Sequence, residues 1–300
     1  MRAAIALAGI VVLAILITPS GIFLQGGNLT DILRQVSLIG IISLAMTYVI
    51  LTAGIDLSVG SILALATSVA AMMVTRRGSI AEAIAAAVLV SAAVGALNGA
   101  VIAGLRIQPF VVTLASMIGI RGLAKWLTGN ENIDIGFGQD AAARFAEEFR
   151  AKSIVIGSYV ALAASFWVVL TRTVFGRWVR AIGDNERAAE YARLPIRTVK
   201  IAVYALAGLL SGYAGVLYAA ENHQGNPNAG VAYELDAIAA VVIGGTRLSG
   251  GKGSIFGTIV GTLIMGVLTN MLRLRNVDSN VEMMVKAVII ILAVAVQRQR

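Results

Sequence analysis

Apolar stretches about twenty residues long succeed one another along almost the whole chain, and few folds are open to such a chain. A helix rises 1.5 Å per residue, so roughly 20 apolar residues span the ~30 Å hydrocarbon core of a bilayer. The backbone finds no water there and must be helical or close into a barrel. These runs are continuous rather than alternating, which argues against barrel strands. The chain therefore reads as an all-α polytopic membrane protein, one transmembrane domain over 1–300. Composition agrees: 58% of the residues are hydrophobic and 13% charged, against about 25% charge in a water-soluble domain.

The runs fall at about 3–17, 36–53, 58–74, 80–105, 110–127, 154–170, 199–220, 235–244, 254–272 and 281–296, which gives about ten transmembrane helices. The first ends at Thr18-Pro19-Ser20-Gly21 and lacks a small-x-small cleavage pattern, so it is read as a retained span rather than a signal peptide. The run Leu235 to Gly244 is short; it either extends back through Val231 or crosses only part of the membrane.

The formal charge of +8 is spread over short loops rather than gathered on one soluble face, so nucleic acid is not an expected partner and membrane lipid is. With the N-terminus in the cytoplasm, the segment 172–200 and its seven Lys/Arg fall inside, as the positive-inside preference favours; Arg76 and Arg77 fall outside and weaken it. On this topology 172–198 is a cytoplasmic loop and 129–153 a periplasmic one. There is no cysteine, hence no disulfide framework or thiolate metal site, and the single histidine, His223, lies in a polar stretch and reads as solvated.

Two parts of the chain look alike. LTAGIDLSVGSI (51–62) and IGGTRLSGGKGSI (243–255) are each an apolar run, a Gly/Leu-Ser break and another apolar run, with both breaks on the same side. This fits an internal duplication with both copies in one orientation; two unrelated Gly-rich turns are the alternative.

Nucleotide-binding and hydrolytic motifs fail on inspection. In LSGGKG (248–253), Thr246 stands where a P-loop needs its first Gly and Gly253 where it needs Ser or Thr. One histidine excludes a His-Glu-x-x-His zinc site. Asp56, Glu82, Arg121, Lys125 and Lys286 lie near run ends, where snorkelling accounts for charge. No series of carboxylates crosses the bilayer, which disfavours ion-driven transport. Asp56, Asn98 and Gln108 are the candidates for lining a pathway. Gly95…Gly99 and Gly257…Gly261 are spaced for close helix approach, either static packing or a moving interface.

The informative polar segment is FGRWVRAIGDNERAAEYARLPI (175–196). Asp184 is placed to N-cap a short helix over 185–193, with acids early, bases late and Pro195 as its stop. Ala188, Ala189 and Ala192 form a small-residue face, which suits either a closely approaching partner or a plain connector.

Five stretches carry a family resemblance: TAGIDLSVGSILAL (52–65), GALNGAVIAGLRIQPFVVTLASMIGIRG (95–122), GRWVRAIGDNERAA (176–189), YALAGLLSGYAGVLYAA (204–220) and AIAAVVIGGTRLSGGKGSIFGTIVGTLIMG (237–266). Together they resemble the permease subunit of bacterial ATP-binding cassette (ABC) importers for sugars, of the ribose/xylose/autoinducer-2/rhamnose type. The resemblance implies the ABC importer permease fold in the bacterial inner membrane, with no enzymatic activity and no cofactor on this chain. ATP and Mg would sit on a separate cytoplasmic ABC ATPase. A periplasmic sugar-binding protein would deliver cargo, and a second permease subunit, identical or not, would complete the pathway by alternating access. It makes the 184–193 helix a coupling helix, with Arg180, Gly183, Asp184, Asn185, Glu186, Ala188, Ala189, Ala192 and Arg193 facing the ATPase. Arg193 departs from the Gly common there, which suits a particular ATPase partner. On the outer side Arg144, Arg150 and Lys152, on or beside an amphipathic stretch, are candidates for docking the binding protein. The alternatives are an ion-coupled secondary transporter or channel of unrelated fold, and a scaffold that only assembles partners.

Overall fold

The computed structural model describes residues 2–18, 21–136 and 140–298. The Pro19-Ser20 end of the first run and the terminal Arg300 lie outside the described residues. The order of elements is α1 (Arg2–Ile17), α2 (Gly26–Leu51), α3 (Val59–Arg77), α4 (Ile80–Leu105), α5 (Pro109–Thr128), β1 (Ile133–Asp134), α6 (Ala141–Phe149), α7 (Lys152–Arg172), α8 (Val174–Asp184), α9 (Glu186–Tyr191), α10 (Ile196–Asn222), β2 (Gln224–Gly225), α11 (Tyr233–Ile243), α12 (Ile255–Leu274) and α13 (Ser279–Arg298).

The helices start and stop where local chemistry allows. Ser79 caps α4 by accepting from the Glu82 N–H at 3.3 Å, and Ser254 caps α12 by accepting from Gly257 at 3.0 Å. Gly78 and Gly129 close α3 and α5 in the left-handed conformation. Among the described residues, seven helices are long and apolar enough to cross a membrane: α2, α3, α4, α5, α7, α10 and α12. The shorter apolar α1 packs on α12, and α13 packs on α11.

Buried helices form the centre. The inner half of α2, from Ile41 to Leu51, is almost wholly buried, as is most of α3. The expected small-residue stripes lie at close helix contacts. A Cβ on Gly95 would strike the Tyr204 carbonyl of α10, and one on Gly99 would lie 2.7 Å from the Ile201 Cα. Gly257 and Gly261 make the same kind of contact between α12 and α11. In contrast α4, α5 and α7 leave most of their surface outside the bundle, as lipid- or partner-facing helices do.

The two similar breaks lie at one end of the bundle and touch, since the Gly251 N–H donates to the Leu51 carbonyl at 3.0 Å. Each is followed by a helix whose N-cap is a serine, Ser58 or Ser254. They differ in burial: the first carries the fully buried Asp56, and the second carries the exposed Lys252 two residues before its serine.

The short run near Leu235 becomes a half-span. At 11 residues α11 is only about 16 Å long, half the hydrocarbon thickness. The residues before it, the short strand Gln224–Gly225 and then turns over 227–232, run alongside α3. Gly225 packs on Thr67, Ser68 and Ala71, and Gly230 on Gly60 and Leu63. Residues 224–243 together therefore cover the depth of one span, half as irregular backbone and half as helix.

Candidate functional site

Four groups of residues stand out: a projecting helix, a buried polar knot, the broken span and a cleft beside the projection.

The projection begins with α8, whose amphipathic sequence buries Val179, Ile182 and Gly183 against the bundle. Gly183 lies where α8 meets both breaks. A Cβ there would overlap the Leu51 carbonyl and come within 2.7 Å of the Gly251 nitrogen. The chain then turns into α9. Its cap is Asn185, not Asp184: the Asn185 side chain accepts from the Ala188 N–H at 3.0 Å, while Asp184 ends α8. The helix stops at Tyr191 because Arg193 takes a left-handed conformation with φ of 55° and Pro195 follows. Asp184, Asn185, Glu186, Ala188, Ala192 and Arg193 are exposed. Ala189 is buried and faces the bundle, so the alanines do not form one outward face. Arg180 is half-buried and Gly183 fully so; they anchor the projection from within. The sequence reading passed over Tyr191, which is 88% exposed at the tip. Its only signal was an aromatic among small and charged residues.

The polar knot lies at the first break. The Ser58 N–H and hydroxyl both donate to Asp56 Oδ1, and the Asn98 amide of α4 donates to the Ser58 hydroxyl at 3.0 Å. Thr113 of α5 donates to the Ile55 carbonyl at 3.2 Å, and the Tyr204 hydroxyl of α10 lies 3.5 Å from it. Asp56 is wholly buried and its Oδ2 has no protein partner among the described residues. Asp56 and Asn98, expected as pathway residues, are thus brought together. Gln108 is not among them; it occupies the N-cap position of α5, without a side-chain cap bond, at the bundle end that carries α9.

There Gln108 helps line a cleft of about 810 Å³ between the α4–α5 turn and the start of α10. Lys200 pairs with Glu186 at 2.6 Å and Arg106 with Glu190 at 3.3 Å across it, tying α9 to its neighbours.

The broken span is held by residues far away in sequence. Thr67 of α3 accepts from the Asn226 N–H at 3.0 Å. Arg121 of α5 donates to the Pro227 carbonyl at 3.1 Å and also to that of Ala229. In α11, Asp236 pairs with Lys286 of α13 at 3.1 Å, and Lys286 also pairs with Glu282 at 3.1 Å. Glu282 in turn accepts from Thr269 of α12. Snorkelling therefore does not account for Arg121, Lys286 or Asp56, whose polar atoms are spent inside the protein. It remains adequate for Glu82, exposed and 3.6 Å from Arg77.

At the opposite end, β1 and β2 pair antiparallel, with Ile133 opposite Gly225 and Asp134 opposite Gln224. This ribbon ties the 129–153 segment to the entry of the broken span. On the same segment Arg144 is exposed, Arg150 pairs with Glu147 at 2.7 Å, and Lys152 pairs with Asp31 at 2.7 Å. Only Arg144 of the three has no ion-pair partner among the described residues.

Comparison with known proteins agrees with this architecture. Residues 28–294 match the family model described as branched-chain amino acid transport system / permease component. The chain is 43% identical over 296 residues to the ribose import permease protein of Escherichia coli (strain K12), covering 97% of this chain and 92% of that one. It is 41% identical to the ribose import permease protein of Bacillus subtilis (strain 168), covering 97% and 90%. The fructose import permease protein of Rhizobium meliloti is 36% identical, covering 93% and 79%. No solved structure matches the chain.

Proposed function

We propose that this chain, which belongs to the branched-chain amino acid transport system / permease component family, is the membrane subunit of an ATP-driven monosaccharide importer. It sits in the bacterial inner membrane and forms the pathway with a second permease subunit. It takes cargo from a periplasmic binding protein and switches between outward- and inward-open states as a cytoplasmic ATPase binds and hydrolyses ATP with Mg. Ribose is the first cargo to test, because the ribose permeases cover nearly the full length of the chain at over 40% identity.

The observation that carries the coupling mechanism is the seating of α8 and α9. The projection ends in an exposed tip, and its base at Gly183 touches the ends of both breaks by backbone alone. A push on the tip has no flexible side chain to absorb it at that junction. It passes to Leu51 and Gly251, hence to α2–α3 and α11–α12 together. Alternating access then requires only that ATP and the docked binding protein prefer different states of this bundle.

The decisive experiment reconstitutes the chain in liposomes with its ATPase and binding protein. Ribose uptake that needs ATP, together with ribose-stimulated ATP hydrolysis, is the expected result. Uptake by this chain alone, driven by an ion gradient, would overturn the reading.

A further inference from the structure

The segment Asn226–Ala232 lies deep in the bundle without being helical. Its depth is fixed by its neighbours: Asn226 bonds to Thr67 near the middle of α3, and Arg121, near the middle of α5, caps the Pro227 carbonyl. Gly230 lies against Gly60 at the other end of α3. Irregular backbone at this depth is tolerated only where protein covers it or where it borders water.

One side of the segment is covered. Pro227, Ala229 and Gly230 are buried, and the Asn226 side chain accepts from the Asn228 N–H at 2.7 Å, which fixes the turn. The other side is open. Asn228 is exposed, Val231 is 68% exposed, and Leu235 in the next turn is 50% exposed. Much of the turn backbone is bonded within the protein, but the Asn228 side-chain amide facing acyl chains would be left without hydrogen-bond partners, an arrangement that membrane proteins avoid.

We infer that this open side lines the translocation route, with the Asn228 amide and the Val231 side chain facing the water-filled passage that a neutral polyhydroxyl cargo crosses. This rests on the transport reading above and deepens it. The chemistry fits such a cargo. An amide offers two donors and an acceptor to hydroxyls that both give and receive, and the adjoining Val231 and Leu235 give the C–H face of a sugar an apolar surface. The β1–β2 ribbon places the entry of this segment beside the outer loop, on the side from which cargo arrives in that reading.

The test uses the absence of native cysteine. Asn228→Cys, Val231→Cys and, as reference, Leu89→Cys at a 67% exposed position of α4 are made singly in the assembled transporter. Each is treated in membrane vesicles with a membrane-impermeant trimethylammonium methanethiosulfonate. Asn228→Cys and Val231→Cys should react at least about tenfold faster than Leu89→Cys, and their modification should cut ribose uptake by a similar factor. Labelling no faster than the reference, in an intact complex, would overturn the inference by placing the face against lipid or against the second subunit. Fast labelling that leaves uptake unchanged would overturn it too. Should Asn228→Cys fail to assemble, Val231→Cys reads the same face. Reaction rates do not depend on cargo, so a chain that labels quickly yet never imports ribose would sink the proposed cargo and leave the water-lined face standing.

Discussion

Gly183 is the position where a single methyl group has nowhere to go. Its would-be Cβ meets the Leu51 carbonyl and the Gly251 nitrogen, both backbone, so α8 itself must shift. Gly183→Ala should cost about 1–3 kcal/mol, the usual range for overpacking, and should weaken coupled uptake further because it displaces α9. Gly119→Ala, with nothing within 4 Å of its Cβ, should change stability by less than about 0.5 kcal/mol. Thermal unfolding of the two variants in detergent checks the contrast; equal melting temperatures would refute the packing argument. The Asp56–Ser58–Asn98 chain calls for a different experiment. Asn98 acts on Asp56 through the Ser58 hydroxyl, so removing either end disturbs the same bonds. Asp56→Ala and Asn98→Ala should each destabilise by about 1–3 kcal/mol through polar groups left unpaired. The double variant should fall short of their sum by at least about 0.5 kcal/mol, and strict additivity would break the link.

At the scale of elements, burial of charge separates α11 from the other spans. A half-length helix cannot be held by apolar area alone, and α11 is pinned by Asp236 to Lys286 in α13. Lys286→Met leaves Asp236 and Glu282 as neighbouring carboxylates without their shared cation. Breaking one partner of such a buried set costs about 3–5 kcal/mol, whereas removing opposed charges together is far milder. Lys286→Met should therefore lower the melting temperature more than the double variant Asp236→Asn/Lys286→Met, and the reverse order would refute it. The same elements show what was legible in the sequence. The caps Ser79 and Ser254 are identified by their bonds in the structure, while long helices follow from apolar length. The broken span does not, because its backbone is satisfied by Thr67 and Arg121, more than a hundred residues away, and no local pattern records such a debt. Arg121 and Lys286 were visible as charges near run ends, yet only three-dimensional neighbours distinguish a clamp from a snorkelling side chain. The α9 cap shifted by one residue from Asp184 to Asn185 for a similar reason: the burial of Gly183 against Leu51 keeps α8 helical through Asp184.

For the molecule as a whole, the two proposed partner-facing ends are separated by one membrane-length helix and the short α8. The amphipathic α6 precedes α7, and the projecting α9 follows it after α8. α7 is long and apolar enough to cross once, so the proposed arrangement sets α6 and α9 on opposite sides of the membrane. In that proposal the seven Lys/Arg of 172–200 go with α9 on the cytoplasmic side, as the positive-inside preference favours. In the proposed importer, the exposed Tyr191 is then the residue offered to the ATPase and the exposed Arg144 the one offered to the binding protein. The cysteine-free chain permits a direct check. Arg144→Cys should react with a membrane-impermeant maleimide in cells whose outer membrane has been permeabilised, and Tyr191→Cys only in inverted vesicles. Tyr191→Ala should leave Arg144→Cys labelling unchanged while lowering ribose-stimulated ATP hydrolysis by at least about tenfold, since exposed aromatics that become interface anchors are worth 2 kcal/mol or more. Labelling of Tyr191→Cys from outside would invert the whole arrangement, and with it the direction in which energy enters the bundle.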